Sequence, residues 1–195
     1  YEQVYTYNPA GAADQLWLTA QTTVTTGAGI NTQRHPFGAN YGYERSASIY
    51  TSTEIGTFGM ITQLAWYVAT GKNVDVPTRI YLKTTTATTQ SASTWASLTS
   101  GATLVYDATR NYRWNGWNTI DITDYSYNAD NLLVLCETNY GGNGASSYPA
   151  FRYTNSNNRH QYWENNGSAP TGNGSVDKKR PNIQITFKEV LNPTS

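Results

Sequence analysis

Apolar and polar residues alternate with a period of two along several stretches of this chain, the pattern of half-buried strands. Ile183, Ile185 and Phe187 fall on one face of such a stretch, with Asn182, Gln184, Thr186 and Lys188 on the other. Ile80 and Leu82 alternate with Arg79, Tyr81 and Lys83, and Ile120 and Ile122 do the same within residues 117–123. Further on the same rule, Met60, Leu64, Trp66 and Val68 are expected to face the core, with Ile61, Gln63, Ala65 and Tyr67 turned away. Shorter runs at 46–51, 104–106, 150–154 and 160–164 read as strands too. One stretch does not alternate. From Asn131 to Thr138 apolar residues and Cys136 run together between Asn/Asp/Gly-rich turns, which predicts a central strand covered on both faces.

Between these runs lie corners and loops. Residues 52–56 read as a one-turn corner, and Trp95 with Leu98 is expected to pin a short helical turn over the sheet. Thr22 to Thr26 predicts an edge strand, and residues 27–45 read as one long loop of the kind that is functional or loosely ordered. About ten strands with turn signals between them predict an all-β sandwich or barrel. Residues 1–20 have a different texture, with short runs at 3–7 and 15–19; they are expected to add strands or to be donated to a neighbour. Residues 21–189 then form the domain and 190–195 a tail or linker.

Composition narrows the function classes. Charged residues are 13% of the chain and cancel, which argues against a nucleic-acid partner. No stretch has the length and apolarity of a membrane span. The single Cys forms no internal disulfide, so the core alone holds the fold; Cys136 is expected to be buried and slow to react. The abundance of Thr, Asn and Tyr is that of an exported surface protein, and the chain reads as a mature or excised piece of one.

Several blocks carry a resemblance. Ser48-Ile49-Tyr50-Thr51-Ser52-Thr53-Glu54-Ile55-Gly56 is followed by Gly59 to Val68, Ile80 to Thr85, Leu104 to Asp107 and Gly116 to Ile120. Then come Tyr127-Asn128, Asn131 to Val134 and Arg180 to Phe187. In this order and spacing, residues 22–188 resemble β-sandwich modules of large secreted, multidomain surface proteins of Bacteroidota, many exported by type IX secretion. The resemblance implies a jelly-roll-like sandwich, an extracellular or cell-surface location, and a supporting or ligand-binding role beside other domains. It implies no catalytic residues.

The chemistry-bearing residues point more to binding than to catalysis. His35 and His160 are far apart in the chain and neither has metal-ligand spacing. Glu54, Asp121, Glu137 and Glu164 are the carboxylates from which a glycosidase pair would come, but Glu54 reads as a cap on the corner and Glu137 as a strand end. No cofactor is expected. Asp121, Asp124, Asn128 and Asp130 offer oxygen ligands to calcium, and Asx turns explain the same residues without metal.

Aromatic rings, most with polar tips, crowd residues 139–167, with Tyr148, Phe151 and Tyr153 among them. Tyr140, Arg152, Arg159, His160, Tyr162 and Trp163 are the candidate ligand site, and Tyr41, Tyr43, Trp114 and Trp117 are candidates to join it. Such rings stack on the apolar face of a sugar while Arg and Asn reach its hydroxyls. Tyr162 and Trp163 must point to opposite faces of a strand, and Trp163 is expected outward. The expectation is a non-catalytic extracellular binding or adhesion module with carbohydrate as ligand. Its other partners would be further domains of a larger secreted protein or neighbouring copies. The alternative is a structural subunit of a cell-surface filament, assembled by strand addition through the leader.

Overall fold

The computed structural model describes residues 18–128 and 130–191. The runs at 3–7 and 15–17 and the tail beyond 191 lie outside the described residues. Eleven strands and two short helices follow in order: β1 (Leu18–Thr26), β2 (Asn31–Gln33), β3 (Tyr43–Tyr50), α1 (Ser52–Ile55), β4 (Gly59–Thr70), β5 (Asp75–Thr85), α2 (Trp95–Thr99) and β6 (Thr103–Asn111). They continue with β7 (Gly116–Tyr127), β8 (Asn131–Asn139), β9 (Ala150–Asn165), β10 (Ser175–Pro181) and β11 (Ile183–Leu191). The fold is an all-β, jelly-roll-like sandwich, with 61% of the described residues in strands and 5% in helices.

All named pairings are antiparallel, and the strands follow the path β1-β11-β4-β9-β3-β8-β5-β6, with β7 on β4 and both β10 and β2 on β9. β9 belongs to both halves. Its residues 150–151 pair with β4, and residues 160–165 pair with β3. Between the halves lies the main core, where Leu64, Trp66, Val68, Ile120, Ile183, Ile185 and Phe187 meet Tyr50, Ile80, Leu82, Leu132, Val134 and Cys136. Each such fully buried side chain contributes on the order of 1.5–3 kcal/mol.

β8 is the central strand, hydrogen-bonded to β3 on one side and β5 on the other. Its two apolar faces have separate uses. Leu132, Val134 and Cys136 enter the main core, while Leu133 and Leu135 join Ala47, Ile49, Trp95 and Trp163 in a second cluster beneath α2. Burial pushes the Cys136 thiol well above its ordinary range, against a hydrogen bond from Ser46, and leaves it a small hydrophobe.

Three readings are corrected here. Met60 is 37% exposed and Ile61 fully buried, because a bulge at Thr62 inserts one residue opposite the Thr186–Phe187 step and exchanges the faces below it. Glu137 does not end a strand; it lies inside β8 and is buried. Residues 27–45 are not one loop. They contain β2 and the start of β3, and Phe37 stacks on Tyr112 and meets Trp66 edge-on within the core. Among the described residues, Leu18 and Thr19 lie in one strand, β1, with the edge strand expected at 22–26.

The corner is held as its sequence predicts. Thr51 caps α1 and Glu54 closes a capping box onto the Thr51 backbone N–H. Arg180, only 2% exposed, donates from Nη1 to Ile49 O at 2.9 Å and forks onto both Glu54 carboxylate oxygens at 2.8 and 2.9 Å. Burial alone would raise the Glu54 carboxyl, but hydrogen bonds from Arg180 and Thr51 outweigh it and hold it at about 2.

Candidate functional site

Cross-strand pairing builds the site. On β3 and β9, Glu44 stands opposite Glu164, Ser46 opposite Tyr162, and Ser48 opposite His160, so these six side chains share one face. Arg45 opposite Trp163 and Ala47 opposite Gln161 share the other. Chain segments beyond the sheet decide what each face becomes.

The Tyr162 face is met by the residues that follow β2. Arg34 donates from Nε to Glu44 Oε1 at 2.9 Å and forms an ion pair with Glu164, clamping the two opposed carboxylates. Its guanidinium lies over the rings of Tyr41 and Tyr162, at 5.2 and 6.0 Å from their centroids. The next residue, His35, sits 4.9 Å from the Tyr162 ring and 5.4 Å from the His160 ring. The two histidines, without ligand spacing in the chain, are therefore neighbours in the fold.

Electrostatics on this face follow from burial. The fully buried His160 has Nδ1 3.0 Å from Ser48 Oγ, and burial lowers its pKa to about 3 against the opposing pull of Asp177. Burial, and then His160, lower His35 as well. Both imidazoles are neutral at physiological pH. Burial raises the Glu44 carboxyl to about 7, against Arg34 and a hydrogen bond from the Tyr41 backbone N–H.

In front of His35 and Tyr162 opens a cleft of about 360 Å³, lined also by Thr32, Gln33, Arg34, Tyr148, Ala150, Asp177 and Lys179. Tyr148 is 38% exposed and Tyr162 half-buried, so two rings stand among a carboxamide, a guanidinium, a carboxylate and an ammonium. These groups suit a flat polyhydroxylated ligand, which offers hydrogen-bonding edges and apolar ring faces at once.

No protein-family model and no curated protein matches this chain.

Of the six residues singled out from sequence, Tyr162 lines the cleft and His160 backs it. The other four go elsewhere. Trp163 is a correction: it is 3% exposed, packs edge-on against Trp95 at 5.5 Å, and donates from Nε1 to Gly172 O at 3.1 Å. Alternation was right about opposite faces, but α2 and residues 166–174 cover the Trp163 face. Gly174 lies so close on the indole that a Cβ there would clash with it. Arg159 bonds Thr88 O and pairs with Glu54 at 3.1 Å, fixing the corner. Arg152 lies 3.8 Å over the Tyr67 ring, and Tyr67 meets Trp117 edge-on. Tyr140 is exposed beyond the end of β8 and does not line the cleft.

The four carboxylates weighed as a glycosidase pair are not brought together; each has its own partners. Glu54 holds Arg159 and Arg180, Glu137 holds Arg45 at 2.7 Å and Tyr81, Glu164 pairs with Arg34, and Asp121 accepts from Gln63 at 2.6 Å. Among the described residues no three His, Cys, Asp or Glu side chains converge as a cation site, and no helix is long and apolar enough to cross a membrane. Sequence reasoning missed Gln33, Arg34, His35, Asp177 and Lys179 as lining residues. The pairings of β2 and β10 with β9 deliver them.

Proposed function

We propose that this chain is a non-catalytic extracellular binding module whose ligand is carbohydrate, taken in the cleft between Tyr148 and Tyr162. The observation that carries the reading is the composition of that cleft: two partly exposed rings set among Gln33, Arg34, Asp177 and Lys179. The order of sequence blocks that resembles secreted Bacteroidota modules supports the location. A glycan array with wild-type protein and a Tyr148→Ala variant tests the proposal. A defined set of glycans bound by the wild type and weakened about tenfold in the variant supports it, that being the scale of one stacking contact. An array without signal, or signals unchanged in the variant, removes it.

A second reading, a subunit of a surface filament, is favoured by β1. Among the described residues it pairs on one side only, with β11, and its nine residues Leu18–Thr26 carry no charge and no proline. Such an edge accepts an added strand. Concentration-dependent assembly in sedimentation, abolished by deleting residues 1–17, would favour this reading; a monomer at all concentrations would dismiss it.

A further inference from the structure

A second aromatic site stands apart from the cleft and shares no lining residue with it. Trp114, in the β6–β7 connection, is 67% exposed. It borders an open depression of about 530 Å³ with Asp75, Thr109, Arg110, Asn111, Arg113 and Asn118.

The connection that carries this indole is anchored on several sides. Tyr112 is buried and stacked on Phe37, with its carbonyl accepting from Lys72 N at 3.0 Å. Asn115 Oδ1 accepts from Gly71 N at 2.7 Å, and Asn118 Nδ2 donates to the carbonyls of Trp114 and Gly116, both at 3.0 Å. Gly71 and the Arg113 carbonyl are so close that a Cβ at residue 71 would strike it. A large ring held in water on an anchored connection adds little to the core; rigid presentation is what lowers the entropic cost of stacking a ligand.

Charge selects the ligand class. Two guanidiniums, Arg110 and Arg113, face the depression. The one carboxylate there, Asp75, already accepts from Asn111 Nδ2 at 2.8 Å. Arg110 spends Nη2 on Thr119 O at 2.9 Å. Among the described residues Arg113 meets no carboxylate, and its guanidinium carbon lies 5.0 Å from the Trp114 ring centroid. An exposed indole, one face of it covered by Arg113, and a guanidinium edge that meets no carboxylate thus fall within the width of one sugar ring.

We propose that Trp114 and Arg113 form a binding site for acidic saccharides, hexuronates whose pyranose face stacks on the indole while the carboxylate bonds Arg113. Arg110 and the Asn118 Oδ1 supply hydroxyl contacts. This site does not depend on the Tyr148–Tyr162 cleft.

Isothermal titration with short oligogalacturonates, and with the same oligomers methyl-esterified, tests it on the wild type, Trp114→Ala, Arg113→Gln and Tyr148→Ala. The expected result is binding of the acid form that falls with added salt and is weakened about tenfold or more by either Trp114→Ala or Arg113→Gln. Esterification should weaken it to the same degree, and Tyr148→Ala should leave it unchanged. Matching unfolding curves for all variants exclude loss of fold as the cause. Absence of acid-form binding by the folded wild type, equal binding of acid and ester, or indifference to Trp114→Ala overturns the site. Loss of neutral-glycan binding in Tyr148→Ala bears only on the cleft, so the two proposals fail separately.

Discussion

Tyr162 and Trp163 are adjacent on β9, yet the two faces they mark have opposite fates. The Trp163 face is roofed by α2 and residues 166–174 and becomes a second apolar core. The Tyr162 face is met by polar residues of β2, of the segment after it and of β10, which bury His160 and Glu44 but leave a cleft open at Tyr162. The larger, more apolar ring went to the covered face. The difference teaches that an aromatic-rich strand is divided into scaffold and site by what later folds over it, not by the rings themselves.

The comparison is broken most severely from the covered side. Trp163→Ala should cost about 3–5 kcal/mol of unfolding free energy, read from urea denaturation, as for other buried Trp truncations. A cost near zero would show the second core to be unimportant. Gly174→Ala places a methyl against the Trp163 indole and should cost about 1–3 kcal/mol by overpacking, whereas Gly172→Ala meets nothing within 4 Å and should be close to neutral. Equal effects from the two glycines would contradict the close seating of this segment.

These contrasts also show what could be read in advance. β8 was legible because its unbroken apolar run needs two covers, and it has them. The capped corner was legible because Thr51 and Glu54 interact within four residues. The inward face of β4 was legible only above Thr62, since a bulge leaves no mark in the period-2 pattern. The site was half legible. Local composition pointed at β9, but the cover over Trp163 comes from residues 95–99 and 166–174, and the cleft's other wall from residues 32–35 and 177–179. Residues 32–35 and 95–99 lie far from β9 in the chain, beyond any window of sequence, whereas residues 166–174 and 177–179 follow it directly and the period-2 pattern does not say which face they fold over. Glu44, the most electrostatically unusual carboxylate on the open face, looks like an ordinary polar strand residue until Arg34 and Glu164 are seen beside it.

The open side offers a subtler test. Burial raises Glu44 from its ordinary 4.5 to about 7, so the folded chain keeps a proton that the unfolded chain has released. Its contribution to stability is complete below about pH 4.5 and declines as pH rises to about 7. His160, lowered from 6.5 to about 3, acts in the other direction: its contribution is present above pH 6.5 and is lost as pH falls toward 3. The stability difference between Glu44→Gln and wild type should therefore shift in favour of the variant between about pH 4.5 and 7, in parallel urea titrations. A difference independent of pH would mean that Glu44 is not buried as described. The smallest effect is expected at the rim. Tyr148→Ala should change stability by no more than about 0.5 kcal/mol, as at other exposed positions.

The division itself is tested most directly by backbone chemical-shift mapping, with a neutral glycan selected from the array titrated into labelled protein. The account predicts perturbations gathered at Gln33, Arg34, Tyr148, Tyr162, Asp177 and Lys179, with Trp95, Leu98 and Trp163 still. Perturbations centred on Trp95 and Trp163 with the cleft unmoved would contradict it, and would return the ligand to the face that the structure shows as core.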